Sequence, residues 1–360
     1  MLLPATYLSG LLLMILALIC TGTWTSLYKT ALPYRYELFN FDLAIGVVVL
    51  AAVAALALGA VQSGELTVGD NILITGYRLM AWALAAGFVF NLGNVILLSA
   101  ISVSGISIAF PVAFGVALII DAGLDFFGNP RVNALLLFGG ALVILVAVAL
   151  FIVAHFRHRA AIAGAAKKTA LQLDPRSKEA REAKKRARTV APGGVAALAI
   201  VSGILLAFPS RLLSMARETE VGLGPYGLML FFAAGFFIST LLYSPFLLTF
   251  PVGGSPAQIG DYLRGGFKAH LLGILAGMML CGGILAAGLV IASPAFTALG
   301  GLNFNLLYQS APLLAVLCGA LLWRELGNEG QSARPFLWSG FLLYAVGVGL
   351  IAFAPEYGAR

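Results

Sequence analysis

Charge is what this sequence has least of. Of its 360 residues only 10% are Asp, Glu, Lys or Arg, where a soluble protein carries about 25%. A fold so short of charge cannot cover itself with surface that water accepts. Its solvent is therefore lipid, and the soluble globular classes are excluded. Histidine is almost as scarce. His155, His158 and His270 are scattered, so no convergent His/Asp/Glu or Ser/His cluster of the kind an enzyme needs is expected. The three cysteines, Cys20, Cys281 and Cys318, all sit inside apolar runs without metal or redox spacing. They read as small buried hydrophobes, and neither a metal site nor a cofactor is expected. No Lys or Arg precedes Lys29, so the apolar run 8–20 lacks the positive flank of a cleaved signal peptide and reads as a retained first span.

What fills the chain instead is hydrocarbon. Ten apolar segments of about 20 residues, the length that crosses a bilayer, run over 6–27, 40–60, 79–101, 104–124, 133–154, 194–214, 224–248, 269–291, 297–322 and 335–354. They are continuous rather than alternating, which favours helices over a β-barrel. The fold class expected is an all-α polytopic membrane protein with ten transmembrane helices. All four tryptophans (Trp24, Trp82, Trp323, Trp338) fall near span ends, as interfacial aromatics do.

One long polar passage interrupts this pattern. Residues 155–191 hold 11 of the 22 Lys and Arg residues and three acids, a net charge of +8, while the rest of the chain sums to −1. No basic groove runs through the protein, so nucleic acid is not an expected partner. Asp174-Pro175 reads as the start of a short exposed helix to about Arg188. By the positive-inside rule the passage is cytoplasmic, which places both termini outside and predicts a multi-pass protein of the cell inner membrane. Contact of 155–191 with anionic lipid headgroups is a further expectation. The passage divides the chain into a five-helix half at 1–154, a basic loop at 155–192 and a second five-helix half at 193–360.

The halves resemble each other. Ala86-Gly87 falls on Ala276-Gly277 and Gly93 on Gly283 at an offset of 190; Gly105 meets Gly301 and Gly123 meets Gly319 at 196. Because each half has an odd number of spans, a true repeat forces the halves into opposite orientations. That is the inverted-repeat architecture of secondary carriers, with the site where the halves meet.

Several passages carry a family likeness. Thr21-Gly22-Thr23-Trp24, Tyr36-Glu37-Leu38-Phe39-Asn40-Phe41-Asp42 and Ala86-Gly87-Phe88-Val89-Phe90-Asn91-Leu92-Gly93-Asn94 resemble the drug/metabolite transporter superfamily, as do Leu223-Gly224-Pro225-Tyr226 and His270-Leu271-Leu272-Gly273-Ile274. Within it the resemblance is to the ureide permeases and the bacterial glucose/ribose and rhamnose uptake families. It implies a ten-helix inverted-repeat carrier for a small polar metabolite, driven by a proton or other ion gradient. Plant ureide permeases have a nucleotide-binding-like motif in the central loop. The nearest passage here, Gly164-Ala165-Ala166-Lys167-Lys168-Thr169, lacks the second glycine of a phosphate-cradling loop, and nucleotide binding is not expected.

Polar residues inside the spans are the candidates for chemistry, because an amide or acid in hydrocarbon is costly unless it has partners or work. Asn91 and Asn94 share a face at mid-span. Asn305, Tyr308 and Gln309 share another, with Asn303 beside them. Amides and a phenol both donate and accept, which suits a neutral solute bearing hydroxyl or urea groups. Together with Trp24 and Phe110, the latter beside a span-interrupting proline, these are the expected substrate contacts; each also has an ordinary reading as helix–helix glue. Asp42 near the inner interface is the candidate for proton coupling or gating, and it falls where the resembling families keep an Asp. Asp121 and Arg211, at similar depth near the outer ends of their spans, could pair to close that side, and Arg324-Glu325 reads as a local structural pair. His270 reads as an interfacial anchor or a proton-relay member. The function expected is proton-coupled import of a sugar or a ureide- or nucleobase-like compound. The same architecture would also serve an exporter of metabolites or drugs.

Overall fold

A computed structural model of the protein describes residues 3–60, 67–128, 132–172, 192–217, 222–251, 256–293, 295–296, 304, 306–327, 331–355 and 357. Among these there is helix and no strand. In order the helices are α1 (Tyr7–Ala31), α2 (Tyr36–Ala54, continued by a π turn at Ala55–Gly59), a short α3 (Val68–Ile74), α4 (Tyr77–Ser104), α5 (Ile106–Gly128), α6 (Ala134–Gln172), α7 (Pro192–Met215), α8 (Pro225–Thr249), α9 (Phe267–Ile291), α10 (Leu306–Leu322) and α11 (Arg334–Phe353). Among the described residues nine helices, all but α3 and α10, are long and apolar enough to cross a membrane, and α10 is a shorter apolar helix. Part of the predicted ninth span (297–303 and 305, hence Asn303 and Asn305) lies outside the described residues, as does the short helix predicted from Pro175 to Arg188.

The helices follow from the solvent. In hydrocarbon every backbone N–H and C=O must find a partner within the chain. α1 shows how the sequence arranges this. Its first turn is closed by a reciprocal cap: the Ser9 amide donates to Thr6 Oγ1 at 3.2 Å and the Thr6 amide to Ser9 Oγ at 3.1 Å. Its 25 residues rise about 38 Å, which clears a core of about 30 Å. Leu8, Leu12, Ile15, Leu16 and Ile19 point outward, while Met14, Ala17, Trp24 and Tyr28 are buried. In water that outer row would drive aggregation; in lipid it is the solvated face. α6, at 39 residues, runs about 58 Å, too long for the bilayer alone, and its basic C-terminal part defines one end of the bundle, called here the basic end.

Helix pairing is dense where side chains are absent. α4 packs on α7 and α8, α9 on α1 and α2, α5 on α7, α10 on α1 and α5, and α6 on α11. At the α4–α8 crossing a Cβ on Gly87 would overlap the Phe232 carbonyl, and one on Gly235 the Leu84 carbonyl. At the α2–α9 crossing Gly46 stands in the same relation to the Ile274 carbonyl, and Gly277 to that of Leu43. Backbones meet there with nothing between them, the mode that gives membrane helices their van der Waals adhesion.

Candidate functional site

A cavity of about 190 Å³ lies inside the bundle. Its walls are mostly aromatic. Trp24 comes from α1, Phe90 from α4, Phe110 and Phe114 from α5, Phe232 from α8, Tyr308 from α10 and Tyr344 from α11. Phe110 and Phe114 stack at 4.4 Å between ring centroids, and Phe90 meets Phe232 edge-on at 5.4 Å. Polar groups are few: Thr21, Asp121, Ser210 and Gln309. Thr21 spends its hydroxyl on the Ala17 carbonyl at 2.6 Å. Ser210 Oγ donates to Asp121 at 2.8 Å. Gln309 Oε1 is buried and takes no hydrogen bond, which leaves an acceptor in a wall otherwise suited to stacking and apolar contact. Two prolines, Pro209 and Pro312, also line the space.

Two further spaces adjoin the cavity away from the basic end. One, of about 120 Å³, shares Asp121, Ser210 and Gln309 with it and adds Arg211 and Ser214. The other, of about 250 Å³, shares Leu213, Ile284 and Tyr308 and adds Arg217 and Pro225, at the ends of α7 and α8. Among the described residues the cavity therefore extends toward the end opposite the basic helix.

Toward the basic end lie two polar clusters. The first sits one turn below Phe110. Glu325 accepts from the Ile106 and Ser107 amides, both at 2.9 Å, and from Ser107 Oγ at 2.8 Å, and pairs with Lys29 Nζ at 3.0 Å. A carboxylate thus caps the N-terminus of α5, where the helix dipole and the free amides favour negative charge. Gly105, at φ 89°, makes the turn, and a Cβ there would strike the Glu325 carboxylate. The sequence pairing expected between Arg324 and Glu325 is replaced: Arg324 takes φ 47°, which turns the chain so that Glu325 reaches α5 and Lys29.

The second cluster surrounds Asp42, whose residue is fully buried. Its carboxylate accepts from Tyr262 at 2.6 Å and bonds His270 Nδ1 at 2.9 and 3.0 Å. Tyr34 and Tyr262 both pack edge-on against the His270 ring. Burial, reinforced by the neighbouring Asp42 carboxylate, pushes the Tyr34 and Tyr262 phenols above their ordinary range, so at neutral pH both keep their protons and Tyr262 remains a donor. Gly273, one turn after His270, leaves the room that the Asp42 side chain occupies.

Of the residues singled out in the sequence, Trp24, Phe110, Tyr308, Gln309 and Asp121 come together around the cavity, and Arg211 joins Asp121 in the adjoining space. Asn305 lies outside the described residues. Asn91 and Asn94 are buried but do not line the cavity; Asn91 turns toward α8, where Nδ2 donates to Ser239 Oγ, Thr240 Oγ1 and the Phe236 carbonyl at 2.8, 2.9 and 3.2 Å. Sequence reasoning anticipated Asp42 and His270 separately but not their contact across 228 positions. Nor did it single out Phe90, Phe114, Phe232 and Tyr344, since phenylalanine in a span gives no signal of facing a cavity. Among the described residues no three His, Cys, Asp or Glu side chains group as metal ligands.

An all-helical bundle with nine spanning helices among its described residues is a multi-pass membrane protein, and a polar-aromatic cavity between its helices is what a carrier of small molecules requires. The sequence profile of the family described as ureide permease matches residues 39–193, from α2 through the basic loop. Over that stretch the chain is similar to ureide permeases, and the match supports a membrane transporter of small metabolites. No curated protein matches the chain.

Proposed function

We propose that the protein is a secondary carrier of ten transmembrane helices in two inverted five-helix repeats, moving a small neutral polar metabolite by alternating access. One observation carries this reading: the bundle contains the same contact twice. Gly87 against Phe232 and Gly277 against Leu43 are related by offsets of 190 and 189, as are Gly235 against Leu84 and Gly46 against Ile274. A third pair agrees. Gly93 meets Leu205 and Leu206, and Gly283 meets Cys20 and Thr21, at offsets of 190 and 185. The helix pairs follow the same exchange, with α4 on α7 and α8 answered by α9 on α1 and α2. Chance glycine matches in sequence would not reproduce their partners' identities in space.

In this reading α10 is the tenth span. The cavity holds the substrate against Trp24, Phe110, Tyr308 and Gln309, and the two basic-end clusters close the inner side. With the basic loop cytoplasmic in the inner membrane, the conformation described faces outward. Aromatic walls with an acceptor at Gln309 suit a compact solute carrying N–H or O–H donors, such as the ureide- or nucleobase-like compounds that the family name suggests, or a sugar. Asp42 couples the cycle to a proton or holds the inner gate, while Asp121 and Arg211 gate the outer side. Exposed Lys167 and Lys168 near the end of α6 would meet anionic headgroups, while Arg157 stays on the Phe336 ring.

The test is uptake into proteoliposomes from a panel of ureides, nucleobases and sugars. Saturable, counterflow-competent uptake is expected, driven by an inward proton gradient, lost in Gln309→Ala and uncoupled in Asp42→Asn. Indifference to the gradient together with an unaltered Asp42→Asn variant would refute proton coupling. Uptake unaffected by both Gln309→Ala and Trp24→Ala would refute the cavity as the substrate site.

A further inference from the structure

The two repeat-related crossings differ in their buried polar groups. Between α4, α8 and α2 lies a fully buried polar cluster of Asn91, Asn40, Ser239, Thr240 and Ser244. At the equivalent crossing the corresponding positions are Cys281, Met229, Leu50, Ala51 and Ala55. At these positions the same backbone approach forms without amides or hydroxyls, the polar pair of that crossing, Asp42 with His270, lying elsewhere along it, so helix adhesion alone does not call for the cluster.

Its hydrogen inventory is uneven. Ser239 and Thr240 each have a single hydroxyl hydrogen, and both donate it to the Phe236 carbonyl, at 2.7 and 3.0 Å. Their oxygens then accept from Asn91 Nδ2 at 2.8 and 2.9 Å. Asn40 Nδ2 donates to Ser244 Oγ at 3.1 Å and reaches Thr240 Oγ1 at 3.5 Å. The two amide carbonyls, Asn91 Oδ1 and Asn40 Oδ1, are buried and take no hydrogen bond. The cluster thus holds more acceptors than donors in a place where an unsatisfied acceptor is costly.

Both neutral amides bring partially positive N–H groups to the same hydroxyl oxygen, Thr240 Oγ1, at 2.9 and 3.5 Å. An amide is nearly symmetric in shape, so a half-turn about Cβ–Cγ exchanges nitrogen for oxygen with little movement. After that turn Asn91 Oδ1 stands beside Ser239 Oγ, Thr240 Oγ1 and the Phe236 carbonyl, and Asn40 Oδ1 beside Ser244 Oγ and the same Thr240 Oγ1, so that six oxygens from three helices are gathered about Thr240. Hard cations take oxygen ligands in this number, and divalent ions add carboxylates to their sets. None of these six ligands is a carboxylate, so the charge they balance is single.

We propose that this cluster is a binding site for an alkali cation, Na⁺, seated between α2 and α4 of the first half and α8 of the second. The ion would take over the role that the two amide nitrogens fill. It also adjoins the cavity wall: Phe236, whose carbonyl is a ligand, packs on Phe90 at 6.3 Å, and Phe90 and Phe232 line the cavity. Occupancy would thus be felt where the solute sits.

The test is thermal melting of the purified full-length protein in NaCl against choline chloride at equal ionic strength. A saturable rise in Tm specific to Na⁺ is expected. Asn91→Cys and Thr240→Ala, which install the residues of the equivalent crossing, are expected to fold and to lose that response. Ser244→Ala, which leaves Asn91 paired, is expected to raise half-saturating Na⁺ about tenfold. A wild-type Tm indifferent to the choice of cation overturns the proposal, and so does a Na⁺ response unchanged in all three variants. A stronger response to K⁺ or Li⁺ overturns the assignment to Na⁺. The melt reads cation binding alone, so its result stands whether or not transport is driven by protons.

Discussion

Substituting Glu325 by Gln tests whether the α5 cap holds the basic end shut. The carboxylate accepts two backbone amides and one hydroxyl at 2.8–2.9 Å and pairs with Lys29 at 3.0 Å, and its side chain is only 6% exposed. Removing one partner from a buried, hydrogen-bonded charge costs about 3–5 kcal/mol. Gln keeps one acceptor oxygen but turns an N–H₂ toward either an amide or Lys29, so the low end applies, about 3 kcal/mol. At 1.4 kcal/mol per tenfold that is about two decades in the ratio of closed to open basic end. Lys29 is a quarter exposed, and its share falls in the surface range of about 0.2–1 kcal/mol. Most of the effect therefore belongs to the α5 cap. The assay is labelling of Ser26→Cys, in a background with Cys20, Cys281 and Cys318 replaced, by a membrane-impermeant thiol reagent applied from the basic side. Ser26 Oγ is buried, between Trp24 at the cavity and Lys29 at the closure. Glu325→Gln should raise the labelling rate by well over tenfold, and Lys29→Met by less than about fivefold. Equal effects of the two, or no change with Glu325→Gln, would refute the reasoning.

Three further outcomes follow from the packing. Gly87→Val and Gly277→Val should be equally damaging, each costing at least about 1–3 kcal/mol through backbone overlap, whereas Gly139→Ala and Gly349→Ala, with open space at the Cβ, should leave Tm in detergent unchanged. Phe110→Ala, which removes a fully buried cavity wall, should cost about 3–5 kcal/mol and depress uptake; a rescue by Phe110→Leu but not by Phe110→Ser would confirm an apolar wall. The raised Tyr262 phenol contributes stability that is fully present below the unfolded value, about pH 10, and is lost as pH rises through the folded value. Tm of the wild type should therefore fall more steeply than that of Tyr262→Phe only on the alkaline side of pH 10; divergence at neutral pH would contradict this.

The helices were legible because lipid imposes one rule on every span: long apolar runs, self-satisfied backbones and aromatic ends. α5 and α8 fall within a few residues of their predicted bounds for that reason. The glycine offsets were legible too, though not their meaning, since a glycine in a span signals close approach without saying to what. Gly87 and Gly277 acquire their sense from Phe232 and Leu43. The cavity was half legible. Tyr308, Gln309 and Asp121 announced themselves by polarity, while Phe90, Phe114 and Tyr344 did not. Asn91 announced itself in the same way, and tertiary packing gave its amide to α8.

Sequence alone determined that the protein lives in a membrane, that it is helical, and that its basic charge gathers at one end. Those properties depend on composition and local periodicity, which the solvent reads residue by residue. Tertiary structure decided which polar groups became partners: Asp42 with His270 and Tyr262, Glu325 with the first amides of α5 and with Lys29, Asn91 and Asn40 with the hydroxyls of α8. Each of these joins residues more than 140 positions apart. In a medium of low dielectric a buried polar group must be paired by something, and only the meeting of distant helices determines by what.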